Sequence, residues 1–478
     1  QLVFGLLDHT NFVTHDIVNE AGADMDYLIK SQSVGAFGSA TLGYRSYAYL
    51  VLGGRNSFTS TLEADNRSVF YPNISGSFIA TEAFDFLRNK KNINYLKFRL
   101  GYSTAANFPS PYSTRSALNI STRNFVTNSG TVINTNSIPN FLPNPNLKPE
   151  LMAETETGIE GKFFQSRLST DITLYQRVSN DQILNRDLDP STGYTSQQIN
   201  AGKVTNKGVE AQLAYKIIRN KDWVWEVTGN WTINNSMVSD IPSDLKEIVY
   251  AGYTTLGNFA INGQPLGIMK GYYYQRHENG QLLVGAGGDY IASTTIGIIG
   301  NPNPDYRLSG INSLTYKSFT FRFQVDYTHG GDMYSSTARS LLARGVTKDT
   351  EFDRAAPYIL PGVTADGKPN NIQISATQGY FNNVFGPDQG GIFDATVVRL
   401  RDMSLSYALP EKLLNKTPFG SVSITANGSN LWYYAPNFPK YMNFDPETNG
   451  LGVGNGRGLE FITGPSARRM GLSVRITF

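Results

Sequence analysis

The 478-residue sequence contains no cysteine and only four histidines. Without thiols there is no disulfide framework and no thiolate metal site. The histidines, His9, His15, His277 and His329, stand at no metal-ligand spacing, which argues against a zinc site. Long hydrophobic runs are also missing. Nothing approaches the roughly 18 to 20 consecutive apolar residues that a membrane helix needs, so a helical inner-membrane protein is excluded. A strand-built membrane protein is not, because its apolar residues fall at every second position. Charge of one sign is not in excess either: 41 basic residues face 39 acidic ones, leaving no electrostatic footprint for nucleic acid. Gln1–Asp8 has no basic region and reaches an aspartate at once, so it does not read as a secretory leader. An exported chain would either begin here in mature form or be a piece of something longer.

Aromatic residues, by contrast, are abundant: 27 Tyr, 27 Phe and 4 Trp make up 12% of the chain. Membrane barrels place such side chains in girdles at both interfaces, where an amphipathic ring suits the headgroup region. Alternation supplies the complementary signal. At the end of the chain Leu472, Val474, Ile476 and Phe478 alternate with Ser473, Arg475 and Thr477, an apolar face for lipid and a polar face for a wet lumen. Trp225, Val227, Trp231 and Ile233 alternate with Glu226, Thr228, Asn230, Thr232 and Asn234. Phe319, Phe321, Phe323, Val325 and Tyr327 alternate with Thr320, Arg322, Gln324, Asp326 and Thr328. A soluble sandwich seldom buries charges and amides on one face while exposing so many rings on the other. Segments 168–174 and 421–427 repeat the pattern.

These signals predict strands near 33–44, 47–57, 68–82, 94–106, 150–164, 167–178, 202–217, 222–234, 306–316, 319–330, 394–409, 420–433 and 471–478. Connections alternate in length. Gln165–Ser166, Asn220–Asp222 and Tyr316–Ser318 are tight turns, whereas 107–149, 179–200, 235–305, 331–393 and 434–465 are long and rich in Gly, Pro, Asn and Ser. Outer-membrane barrels have short periplasmic turns and long extracellular loops, so the C-terminus is expected on the periplasmic side. Ile268–Gln275 is strand-like, but admitting it to the wall would set two successive strands in one direction. It is therefore assigned to an extracellular excursion. About thirteen strands is an odd number, and single-chain bacterial barrels close with an even one. Residues 1–32 have room for one strand more.

At Asn144-Pro-Asn-Leu-Lys-Pro-Glu150 the sequence resembles the SusC/RagA family of TonB-dependent outer-membrane transporters of Bacteroidetes. Prolines there hold the approach to a strand extended. Further resemblances follow in family order: Tyr71–Ser75, Tyr95–Tyr102, Gly202–Glu210, Gly300–Asp305, Gly330–Tyr334, Leu400–Pro410, Asn430–Trp432 and Asp445–Glu447. The resemblance implies an all-β fold, a transmembrane antiparallel β-barrel of which residues 1–478 form the C-terminal part, roughly the last thirteen of 22 strands. The plug domain and TonB box are expected outside this chain, which would then be a fragment, a cleavage product or the second chain of a split transporter. The terminal Phe478 resembles the signal read by the outer-membrane assembly machinery.

Chemistry-bearing motifs are sparse, and neither catalytic residues nor a cofactor is indicated. Gly450–Gly458 carries five glycines but no Lys-Ser/Thr pair follows, so it reads as a flexible loop and not a phosphate cradle. Asp181, Asp187 and Asp189, or Asp445 with Glu447, match no EF-hand spacing and read as solvated loop carboxylates. No carboxylate pair is fixed at a glycosidase separation. The aromatic triplets Tyr272, Tyr273, Tyr274 and Trp432, Tyr433, Tyr434 lie in or beside long loops. They are candidates for contact with a substrate or a lid protein, and the second triplet equally suits an interface girdle.

The resemblance implies import of a large glycan or peptide nutrient, with a SusD-like surface lipoprotein over the loops and TonB acting through the plug. Transport then means conformational gating, without a bond made or broken. A different reading makes the barrel a structural subunit that docks partners in an outer-membrane assembly, including a separate N-terminal chain. A secreted β-sandwich enzyme or carbohydrate-binding module is a third.

Overall fold

The computed structural model describes residues 30–478 except 88–90, 117–118, 376–380, 382, 443, 453 and 455. His9, His15 and the possible extra strand before residue 30 lie outside the described residues. Thirteen strands form one continuous antiparallel sheet in which every strand is bonded to its neighbours in sequence along the wall. They are β1 (Ser33–Tyr44), β2 (Ala48–Thr59), β3 (Ser68–Ile79), β4 (Ile93–Asn107), β5 (Glu150–Phe163), β6 (Leu168–Asn180) and β7 (Lys203–Arg219), followed by β8 (Trp223–Ser239), β9 (Tyr306–Tyr316), β10 (Phe319–His329), β11 (Val397–Ala408), β12 (Ser421–Tyr434) and β13 (Arg469–Thr477). Sequential pairing of this kind is what tight hairpins dictate. Every residue of β1 and of β13, the two ends of the described series, is exposed.

The lateral register sorts the alternating side chains onto two faces. On one face Phe321 lies opposite Leu405, Phe323 opposite Met403, and Ile424 opposite Val474. Leu405 and Val474 are 49% and 57% exposed, as side chains on the lipid-facing side of a barrel strand are. Short connections lie at one end of the wall, where rings gather: Trp223 and Tyr316 have centroids 4.2 Å apart, Phe319 and Tyr407 4.5 Å, and Phe419 and Phe478 5.5 Å. No helix among the described residues is long and apolar enough to cross a membrane.

Buried apolar side chains collect beyond the wall, at the end with the long connections. β8 runs to Ser239, five residues past the expected end of its strand at 234. This extension of β8 brings Val238 beside Val204, at the start of β7, in a cluster with Ile241, Ile248 and Ala260. Residues 247–252, 257–261, 268–271 and 297–300 form a separate four-stranded sheet, so Ile268–Gly271 lies outside the wall. Segments 332–335, 392–394 and 459–460 form a second small sheet. Met269, Met333 and Leu459 are wholly buried in the associated clusters. The loop composition thus conceals a packed cap whose apolar residues shield one another from water.

Candidate lumen site

The polar face of the wall is a mixed-charge lining. Arg99 on β4 reaches across β5 to Asp171 on β6, with Nη2 to Oδ1 at 2.6 Å and Nη1 to Oδ2 at 3.2 Å. Gly158 on the intervening strand makes the crossing possible, since a Cβ there would come within 2.6 Å of Arg99 Nε. Gln212 Nε2 donates to Asn230 Oδ1 at 2.9 Å. Ser309 Oγ and Gln324 Nε2 both donate to Asp326 Oδ1 at 2.8 Å.

A bulge concentrates cations on this face near the cap. Pairing of β11 with β10 skips between Leu400 and Asp402, and so does its pairing with β12. Arg401 is the extra residue. A bulge re-aims a side chain that strict alternation would place otherwise, and Arg401 joins Arg399 on the polar side. Arg401 Nε meets Asp326 Oδ2 at 2.6 Å, while its Nη1 and Nη2 hold the two oxygens of Glu447 at 2.8 and 2.6 Å. Arg399, with 2% of its side chain exposed, pairs with Asp445, with 3% exposed; it also bonds Asn430 and lies 5.3 Å from the Tyr433 ring centroid. Asp445 is therefore no solvated carboxylate. It carries the loop between β12 and β13 onto the wall, and Glu447 ties the same loop a second time.

The resulting cavity of about 710 Å³ lies between the wall and the cap. Its wall side mixes Asn230, Ser309 and Gln324 with Leu308, Tyr327 and Val397, and its cap side includes Pro302, Asp332 and Arg457. Motifs far apart in sequence meet here. The Asp332 amide donates to Asn301 O at 2.7 Å, and Asn301 N returns a bond to Asp332 Oδ2 at 2.7 Å. Burial, with Asp394 and Asp305 nearby, pushes the Asp332 carboxyl above its ordinary range despite that bond. Gly330 and Gly331 turn the chain at φ 71° and 81°, a left-handed conformation suited to glycine. The Gly450–Gly458 run, read as a flexible loop, is partly built into the cap. Arg457 N donates to Asn258 Oδ1 at 3.0 Å, and Gly458 O accepts from Tyr334 N at 2.7 Å.

The aromatic triplets divide between environments. Tyr273 packs against the buried cluster around Met269. Tyr274 donates its hydroxyl to Val384 O, and burial pushes its phenol up to about 12. Tyr272 is 37% exposed. Trp432 and Tyr434 pair with Leu400 and Val398 on the apolar face and are exposed there, whereas Tyr433 pairs with Arg399 on the polar face. Phe478 is exposed beside Phe419. Asp189 accepts from Ser191 N at 2.9 Å in a local turn. The sequence reading did not single out Arg307, Arg399, Arg401 or Arg457 as site residues. The Arg-x-Arg spacing at 399 and 401 was the available signal, but only the loop's return to the wall gives it meaning.

Sheet, faces and cavity define a membrane β-barrel wall with a polar lumen roofed by its own loops. The sequence model of the TonB dependent receptor-like, beta-barrel family matches residues 4–431, and the chain belongs to that family of outer-membrane barrels. It is 25% identical to TonB-dependent receptor P3 of Formosa agariphila over 98% of this chain and 48% of that protein. TonB-dependent receptor SusC of Bacteroides thetaiotaomicron is 26% identical over 38% of this chain and 20% of its own length. Among solved structures, that of the RagAB peptide transporter superposes with a TM-score of 0.71 at 20% identity, covering 94% of this chain and 48% of that one. The chain spans about half the length of the relatives it matches most extensively.

Proposed function

We propose that this chain forms the C-terminal wall and loop cap of a TonB-dependent importer for a glycan or peptide too large for a porin. The observation that carries this reading is the cavity between lumen face and cap, lined by charged, amide and apolar side chains, a position from which cargo passes either outward or into the lumen. Family membership supports TonB coupling, and the likeness to a peptide transporter supports a peptide as one cargo class. The long-loop end faces the cell exterior and carries a SusD-like lipoprotein, with Tyr272 available to it. The C-terminus faces the periplasm, and a plug supplied outside residues 1–478 or by another chain links the barrel to TonB.

The test is uptake of labelled oligosaccharide and peptide mixtures by cells lacking the gene, cells carrying the intact gene, and cells in which TonB is inactivated. Import predicts uptake restored by the gene and abolished without TonB. Restoration that ignores TonB would exclude active import and favour a passive or structural barrel.

A further inference from the structure

Three arginines, Arg307, Arg401 and Arg457, line the lumen cavity together with Asp326, Asp332 and Glu447. Equal numbers suggest neutrality, but the pairing is lopsided. Arg401 takes both Asp326 and Glu447, and Glu447 Oε2 also lies 3.4 Å from Arg399 Nε as a second ion pair. The other oxygen of Asp326 accepts from Ser309 and Gln324, and Asp332 is turned to the Asn301 amide. Among the described residues, the guanidinium groups of Arg307 and Arg457 have neither a hydrogen bond nor an ion pair. Charges acting on Arg307 include two like ones, Arg457 and Arg401, against one acid, Glu447, and that acid is already committed.

The two groups come from separate parts of the chain. Arg307 stands at the cap end of β9, opposite Thr232 and Thr328 on the polar face. Arg457 is fixed through its backbone, its N donating to Asn258 Oδ1 at 3.0 Å and its carbonyl accepting from Asn258 Nδ2 at 3.0 Å. Asn258 is wholly buried, so this anchor sits on the cap's packed core. Both arginines are exposed to solvent, so their guanidinium groups are accessible to an anion, and two like charges facing one cleft favour its entry. Guanidinium groups offer paired donors that match the oxygens of a carboxylate or of a sulfate or phosphate ester.

We infer that Arg307 and Arg457 form an oxyanion subsite that holds a negatively charged group of the cargo between wall and cap. The inference rests on the import reading and narrows it: the cargo bears a carboxylate or an ester oxyanion. Neutral neighbours such as Asn230 and Ser309 are suited to hydrogen-bond the uncharged part of the same molecule.

The experiment uses the full-length protein in detergent and measures binding of ³⁵S-labelled sulfate and ¹⁴C-labelled acetate by equilibrium dialysis at fixed ionic strength. Saturable binding is expected, weakened about tenfold by Arg307→Gln and about tenfold by Arg457→Gln. Arg115→Gln, at an exposed pair with Glu63, leaves it unchanged. Preference for sulfate identifies an ester oxyanion and preference for acetate a carboxylate. Heat-modifiable gel mobility confirms folding of each variant. Should a glutamine variant not fold, Arg307→Lys keeps the charge, loses the fork and weakens binding by less. No saturable binding of either ion, or binding equal in wild type and both variants, overturns the inference. TonB-dependent uptake persisting alongside such a result leaves the import reading standing.

Discussion

Arg401 holds Glu447 through both of its terminal nitrogens, at 2.8 and 2.6 Å, across 46 residues of chain. One partner is the bulge residue of a wall strand and the other belongs to the loop that precedes the last strand. Beside them Arg399 and Asp445 make a second, buried link between the same two segments. The cap is thereby fastened to the wall by charge pairs near the mouth of the lumen, where the cavity requires the two surfaces to meet.

Removing one partner of the buried pair leaves the other charged and desolvated, which costs about 3–5 kcal/mol. Asp445→Ala is expected to release the loop between β12 and β13, read as faster hydrogen exchange across residues 435–468 with little change in β4–β7. The double change Arg399→Met, Asp445→Leu recovers most of the protection, because an apolar pair of similar volume carries no stranded charge.

Glu460 tests the cap through pH. Its side chain is wholly buried and accepts from Ser335 Oγ at 2.8 Å, Thr337 N at 3.0 Å and Thr463 N at 2.6 Å. Thr337 lies in the first turn of α1 (Ser336–Ala343), so the carboxylate also faces the positive end of a helix. Burial pushes this carboxyl up, but the bonds from Thr337, Ser335 and Thr463 outweigh it and hold it below its ordinary value of 4.5. A depressed carboxyl contributes stability that is fully present above its unfolded value and lost as pH falls through the folded one. Proteolytic cleavage within the cap is expected to increase as pH falls below about 4.5. Glu460→Gln should cleave readily at neutral pH and lose that part of the pH dependence.

The two faces of β7 are tested by neighbouring residues. Leu213 is 50% exposed and pairs with Gly229, whereas Gln212 lies on the polar face and bonds Asn230. Leu213→Lys is expected to destabilise the barrel in lipid by about 2–4 kcal/mol, while Gln212→Lys on the lumen side costs far less. Urea unfolding in phospholipid vesicles measures both.

Phe478 and Trp432 address the bilayer interfaces. Phe478 rests against Phe419, and Trp432 is exposed on the apolar face. Phe478→Ala is expected to lower the yield of heat-modifiable barrel in membranes severalfold. Trp432→Ala should reduce anchoring in lipid without changing anion binding in the lumen.

Much of the wall was legible because lipid on one side and water on the other impose a period of two, visible in Phe319–Thr328 and Leu472–Phe478. The register then followed from turns such as Asn220–Asp222. The cap was not legible, because Val238, Met269 and Leu459 are buried by segments distant in sequence and leave no local period. The same reason hid the site. Asp445 looks like any loop carboxylate until the bulge at Arg401 and the buried Arg399 bring the wall to it, and Arg307 and Arg457 become neighbours only when a 150-residue separation is closed by the fold.

Spin-label accessibility along β10 is the decisive measurement, with any cysteine outside residues 1–478, which hold none, replaced by serine before single cysteines are introduced. Labels placed singly at positions 319–328 of the full-length protein in vesicles are probed with oxygen, which partitions into lipid, and with a water-soluble nickel chelate. Strict alternation is expected, with oxygen favoured at 321, 323 and 325 and nickel at 322, 324 and 326. Uniform access to nickel, or the opposite phase, would contradict a lipid-facing wall around a polar lumen.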